Sequence, residues 1–281
     1  MSGATATGYA PRHTLPLRVE AIRQLRRRRT WVAFGIAAAL PWVLIIAFQI
    51  GGRDSGDGRT SFVDLATVGG LNFAVFVLFV SCSFLLVVAV ALFCGDTVAS
   101  EASWSSLRYL LAAPVPRGRL LRQKLIVALL YAVATTVGLI AMALVAGGLV
   151  YGWGGLRVLT GGEMPAATGL GRLAISVAYV LVSLLVVAGL AALLTVWTDS
   201  PLGAVGGAVG LWIVCTILQA VEALGTLREF LPTFWNNAWF DALTPEIDWS
   251  GMAKGASISI TYAAVLIAVA FRRFRRKDVV S

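Results

Sequence analysis

The apolar positions of this chain run together instead of alternating with polar ones. Charge-free windows cover residues 30–52, 65–95, 125–156, 173–198, 200–221 and 255–271. A helix needs roughly 20 apolar residues to cross the hydrocarbon core of a bilayer, with about 17 as the lower limit. Five windows exceed that, and the last meets it with Arg272 placed to snorkel its charge to the interface. Continuous runs without ten-residue alternation predict helices instead of barrel strands. The expected fold is an all-α polytopic membrane protein with six transmembrane helices and both termini cytoplasmic. Residues 1–30 form a cytoplasmic tail and a basic amphipathic helix, residues 31–272 the membrane domain, and residues 273–281 a basic tail. Ala37 and Ala39 form an A-x-A, but the apolar run continues to Ile50 behind a long basic leader, so cleavage there is not expected.

Between the windows the pattern changes several times. Leu15, Val19, Ile22 and Leu25 recur at helical spacing with arginines on the other face. Thr14 is placed to cap that helix and Pro16 to sit in its first turn. Such a helix lies flat on the cytoplasmic leaflet, its arginines against anionic lipid; a plain basic anchor explains Arg26–Arg29 equally well. Pro41 predicts a kink or a soft point in the first span. Asp199 or Ser200 can cap the fifth helix with Pro201 in its first turn, which makes the fourth and fifth spans a hairpin. Gly203 and Gly207, and Gly206 and Gly210, lie four apart, a spacing that suits helix packing or dimer contact. Residues 222–254 mix aromatics with polar groups and two prolines. This predicts short interfacial or re-entrant helices on the outer side, with Phe234, Trp235 and Trp239 forming either a candidate outer gate or an aromatic anchor.

Composition sharpens the class. Only 13% of residues are charged, against about 25% in a soluble domain. With the N-terminus inside, 17 of the 23 Lys and Arg fall in inner segments and 6 in outer ones, which satisfies the positive-inside rule. The net charge of +9 then reads as topology, and nucleic acid is not an expected partner. Cys82, Cys94 and Cys215 lie inside spans without a C-x-x-C, so they read as packing residues, with no metal site. No phosphate-binding loop, H-E-x-x-H or G-x-S-x-G occurs, and no charge lies inside a window. These absences speak against an ion-driven carrier and a membrane enzyme. Thr135, Thr136, Ser176, Ser183, Thr216, Gln219 and Thr261 could line a weakly polar path, although Ser and Thr in helices more often bond their own carbonyls.

One long polar, basic segment separates two very apolar spans: Glu101–Lys124, EASWSSLRYLLAAPVPRGRLLRQK. Its first part reads as a helix with Val98, Leu107, Leu110 and Leu111 apolar, stopped by Pro114 and Pro116. An ordinary connector has no need of such a leucine group, which suggests a docking surface. Here the chain resembles permease subunits of ABC-2 type exporters, whose signature in this loop is a Glu, leucines, Pro-x-x-Arg and a Lys. The matching positions are Glu101, Leu107, Leu110, Leu111, Pro114, Arg117 and Lys124; Ser105-Ser106 stands where Gly-Thr is usual. The resemblance implies a half-transporter that pairs with a second copy or a related permease and docks a cytoplasmic ABC ATPase. That partner would bind ATP and Mg, with no cofactor in this chain. It implies a bacterial cytoplasmic membrane and export of a hydrophobic or amphipathic substrate, such as a drug, lipid, polyketide or peptide. The alternative reading is a non-transporting scaffold or sensor that docks a signalling partner.

Overall fold

The computed structural model describes residues 16–51, 62–103, 116–158, 162–198 and 200–276. Thr14, Ser105, Ser106, Leu107, Leu110, Leu111, Pro114 and Asp199 lie outside the described residues, as does the side chain of Glu101. A short helix α1 (Leu17–Leu25) turns at Arg26 and Arg27 into the long α2 (Arg28–Ile50). A stub α3 (Phe62–Ala66) precedes α4 (Gly70–Cys82) and α5 (Leu85–Ser103). Then come α6 (Arg117–Tyr151), a small antiparallel hairpin of β1 (Leu156–Arg157) and β2 (Glu163–Met164), α7 (Ala166–Ser183), α8 (Leu185–Trp197) and α9 (Pro201–Gln219). Two 3-10 helices, Glu222–Phe230 and Ala238–Leu243, lead into α10 (Trp249–Arg276).

Five stretches are long and apolar enough to cross a membrane: α2, α6, α7 with α8, α9 and α10. The pair α4 and α5 makes a sixth, bent by 56°. The protein is an all-α polytopic membrane protein. Its large side chains still exposed on α2 and α9, such as Ile46 and Ile217, are what a helix surrounded by lipid requires.

The bend falls where the sequence does not announce it. Helix α2 runs unbroken through the buried Pro41. The break comes instead at Ser83-Phe84 in the second span, with neither proline nor glycine at the break. An inserted bulky side chain is another cause of helix breakage. Here the Phe240 ring packs 5.6 Å from Phe79, and the Trp239 indole lies beside Cys82.

The main core is shared by α4, α5, α6, α7 and α8, with Phe73, Leu78, Leu86, Phe93, Leu139 and Val187 essentially inaccessible. Helices α4 and α6 cross so closely at Gly70 that a Cβ there would stand 2.7 Å from the Gly148 backbone nitrogen. Buried hydroxyls are spent on their own helix, Thr135 donating to the Tyr131 carbonyl, Thr136 to Ala132 and Ser183 to Val180, and the exposed Thr216 likewise donates to Trp212. The polar path that they could have lined is therefore weakly polar at best.

Ser200 caps α9, its hydroxyl accepting from the Gly203 N–H at 3.2 Å, with Pro201 in the first turn as expected. The glycines of α9 do not act as one packing seam. A Cβ at Gly207 would meet Leu194 at 3.0 Å, a Cβ at Gly203 would meet only Ser200 and Thr198, and Gly206 and Gly210 face open space. The buried stripe of α9 is Ala204, Ala208 and Trp212, one or two positions away from the glycines. Close approach within the chain uses Gly95, which faces Val205 and Ala204, and Gly189, which faces Ala263.

Alternating helix direction gives the bundle two ends. The basic end gathers α1, the start of α2, the C-terminal part of α5, the start of α6, the α8–α9 turn and the end of α10. The aromatic end gathers α3, the β hairpin and residues 222–248.

Candidate functional site

Helix α1 is amphipathic in an unusual sense. Leu17, Val19, Ile22 and Leu25 are exposed, while Glu20 and Gln24 are buried. Its apolar stripe points away from the protein, as suits a helix lying in a membrane interface, and Arg18 and Arg26 stay at the surface. Pro16 occupies the N-cap position, with its carbonyl accepting from the Val19 N–H. The buried polar stripe faces α6. Glu20 is the lone acid among the first 29 residues, which hold seven arginines, and its carboxylate accepts from Lys124 Nζ at 3.1 Å. Both side chains are 1% exposed.

Around this pair the contacts are specific. Gln24 Nε2 donates to the same Glu20 oxygen at 3.4 Å. Thr30 donates to the Gln24 carbonyl at 2.7 Å, which closes the corner between α1 and α2. Tyr131, two helical turns beyond Lys124 on the same face of α6, donates to the Ala21 carbonyl at 2.8 Å. Charge-assisted bonds of this kind are the strong ones. Burying two ions is costly in itself, so the pair is a device for position more than for net stability.

A second ionic contact lies across the same end. Asp96, on α5 and 7% exposed, accepts from Arg27 at 3.0 Å and also pairs with Arg29. Just beyond it, the backbone N–H groups of Val98 and Ala99 donate to the Thr195 hydroxyl of α8 at 3.3 and 3.0 Å. The start of α6 is held too. Arg117 donates to the Arg275 carbonyl at 3.4 Å. Leu120, Leu121 and Leu125 form a separate apolar cluster with Val98, Ala192, Val196 and Phe274.

The outcome is a clamped root for the segment between α5 and α6. Its entry is gripped by Asp96 and Thr195, and its exit by Lys124, Arg117 and the leucine cluster. The N-terminal segment grips both sides, through Arg27 and Arg29 on one and Glu20 on the other. Of the seven residues expected in the loop site, the structure places two side chains. Arg117 lies at the partly exposed rim of the root. Lys124 lies inside the protein, where its ion pair with Glu20 fixes the loop's exit.

Glu20, Gln24, Asp96 and Thr195 were not singled out by sequence reasoning, and Arg27 and Arg29 were read only as part of a basic anchor. The available signals were one acid on an otherwise basic helix and one acid ending an apolar window.

At the aromatic end, residues 222–248 fold back into the bundle. Tyr179 donates to the Trp235 carbonyl at 2.6 Å, and Ser176 to the Trp239 carbonyl at 3.4 Å. These positions lie 10 and 13 residues into α7, or about 15–20 Å along the helix at 1.5 Å per residue, so the segment is re-entrant. Trp239 is fully buried and stacks on Phe240 at 4.0 Å. Phe234 and Trp235 pack edge to face nearer the rim, beneath Arg228 and Lys254. The three aromatics of the candidate gate thus occupy two levels, with Trp239 part of the core. Gly255 makes room for the segment: a Cβ there would stand 2.0 Å from the Tyr179 hydroxyl and 2.6 Å from Trp235 Cβ.

None of the curated proteins matches the chain. Residues 42–280 match the family model described as "Protein of unknown function (DUF2705)". The match takes in most of the chain, from within α2 to the C-terminal tail, and leaves α1 outside it. The protein belongs to that family.

Proposed function

We propose that the chain is the membrane-spanning permease subunit of an ATP-binding-cassette exporter. A separate ATPase would dock on the segment between α5 and α6 and bind ATP and Mg. In this reading the basic end is cytoplasmic, in a bacterial cytoplasmic membrane. The observation that carries the reading is the clamped root. A force applied to residues 104–115 would pass directly into α5 through Asp96 and into α6 through Lys124. It would pass into the interfacial helix through Glu20, Arg27 and Arg29. Coupling of two sites requires a contiguous element whose arrangement both can bias, and this end supplies one.

The bent α4–α5 pair and the re-entrant segment fit the same role. Movement of α5 would reach Phe79 and Cys82, where Phe240 and Trp239 pack, and so reach the outer closure. A partner permease, identical or related, completes the pathway, and the cargo is a hydrophobic or amphipathic molecule suited to uncharged walls. A plain scaffold or sensor would also dock a partner through this segment, but it would have no use for a re-entrant aromatic closure at the opposite end.

The test is purification from native membranes with identification of stoichiometric partners. The proposal expects a soluble ATPase carrying a phosphate-binding loop, lost on charge reversal at Glu101 and Arg117. A signalling protein in its place, with no substrate flux in vesicles, would favour the scaffold.

A further inference from the structure

A cavity of about 310 Å³ opens at the aromatic end, between the α3–α4 corner, the β hairpin and the second 3-10 helix. Its walls are chiefly Leu65, Val75, Phe76, Leu156, Phe240 and Leu243, and its polar groups come from Asn72, Arg157, Asp241 and Thr244. The volume falls in the range of small-molecule sites, which are mostly apolar with a few placed polar groups.

Three of the four polar groups are already spent. Asn72 clamps the hairpin, its Nδ2 donating to the Arg157 carbonyl at 2.8 Å and its Oδ1 accepting from the Arg157 N–H at 3.0 Å. The Arg157 guanidinium lies 4.0 Å from Glu163, its partner across the hairpin register. Thr244 donates to the carbonyls of Asp241 and Glu246. Asp241 differs: its carboxylate packs over Gly251 in the first turn of α10, and among the described residues no cation pairs with it. Burial, and the neighbouring Asp248 carboxylate, hold the Asp241 carboxyl above its usual range. A half-buried anion beside a second anion and an apolar wall is a place where a cation gains on both counts.

We propose that this cavity binds organic cations with a compact apolar body, an ammonium or similar group pairing with Asp241 while the body fills the space between Phe76 and Phe240. As a station on an export route the cavity rests on the exporter reading; as a binding site it does not.

The experiment uses the full-length protein in lipid nanodiscs without any ATPase, with empty nanodiscs subtracted. The probe is radiolabelled 4-phenylbutyl-trimethylammonium, beside its neutral carbon isostere in which a tert-butyl group replaces the trimethylammonium. The expected result is saturable binding of the cation, weakened at least about tenfold in Asp241→Asn and for the neutral isostere. Leu65→Trp, which fills the cavity from a different element, should abolish binding while leaving the protein monodisperse. The proposal is overturned if the wild type shows no saturable, protein-dependent binding. It is equally overturned if the neutral isostere binds as tightly as the cation, or if both variants bind as the wild type does. Binding in nanodiscs with no transport in the coupled system would leave the site standing and remove the exporter reading.

Discussion

At the basic end, Lys124 and Glu20 meet 3.1 Å apart with almost no solvent access, and Asp96 meets Arg27 at 3.0 Å close by. At the aromatic end the equally buried Trp239 meets rings and helix faces, and the hydrogen bonds that hold its segment run to backbone carbonyls. Both ends are fixed, but by interactions with different sensitivities. A buried ion pair fails badly when one partner is removed and tolerates exchange of the two. An aromatic plug fails chiefly when shape is lost, the cations Arg228 and Lys254 over its outer rings adding less. One end is sensitive to the loss of single charges, the other to the loss of fit.

The largest expected effect comes from splitting the ion pair. Lys124→Met takes from the buried Glu20 carboxylate its hydrogen-bonded ammonium and leaves it only the longer 3.9 Å contact with the more exposed Arg23; the loss should approach the about 3–5 kcal/mol typical of a broken buried pair. Thermal unfolding in detergent would report it. Glu20→Gln added to Lys124→Met should recover most of the loss, since no charge is then stranded. Failure of that rescue would mean that the pair holds nothing together.

At the other end Gly255→Val forces methyl groups into the space of Tyr179 and Trp235. Overpacking of this kind costs about 1–3 kcal/mol. Here it should loosen the re-entrant segment selectively, seen as faster proteolysis within 222–248 and a red shift of tryptophan emission, with the basic end unaffected. A smaller change, Tyr179→Phe, removes one hydrogen bond to the Trp235 carbonyl and should cost about 1 kcal/mol. Smallest in stability is Arg117→Glu, at the partly exposed rim, expected within about 0.5 kcal/mol of wild type. Its predicted effect is on partner binding, so a large stability loss with normal pairing would reverse the roles given to Arg117 and Lys124.

Much of the fold was legible because membrane spans announce themselves by length. Each of the six charge-free windows lies largely within a helix or bent helix pair, and the Ser200–Pro201 cap follows from side-chain chemistry alone. The bend at Ser83-Phe84 was not legible, since the rings packed beside it, Phe240 and Trp239, lie more than 150 residues away in sequence. Periodicity located α1 and its apolar stripe but not the polar stripe that it buries. The apolar stripe of α1 points outward because the competing surroundings are lipid, and its buried stripe is polar because Lys124 needs a counter-ion. The four glycines of α9 carried a spacing signal, yet the helix buries the neighbouring alanines. Spacing permits close approach without saying which face a neighbour takes. At the candidate site the sequence pointed to the segment between the second and third spans, whereas the residues that hold its root come from six different helices and could be grouped only in three dimensions.

The central claim is that the clamped root carries an ATPase. It is tested most directly by purifying the tagged protein from its native membrane beside a Glu101→Lys, Arg117→Glu double variant. The account predicts a stoichiometric ATPase with the wild type and its loss from the double variant, while unfolding temperature stays within a few degrees. An ATPase retained in full by the double variant, or no ATPase with the wild type, would contradict it.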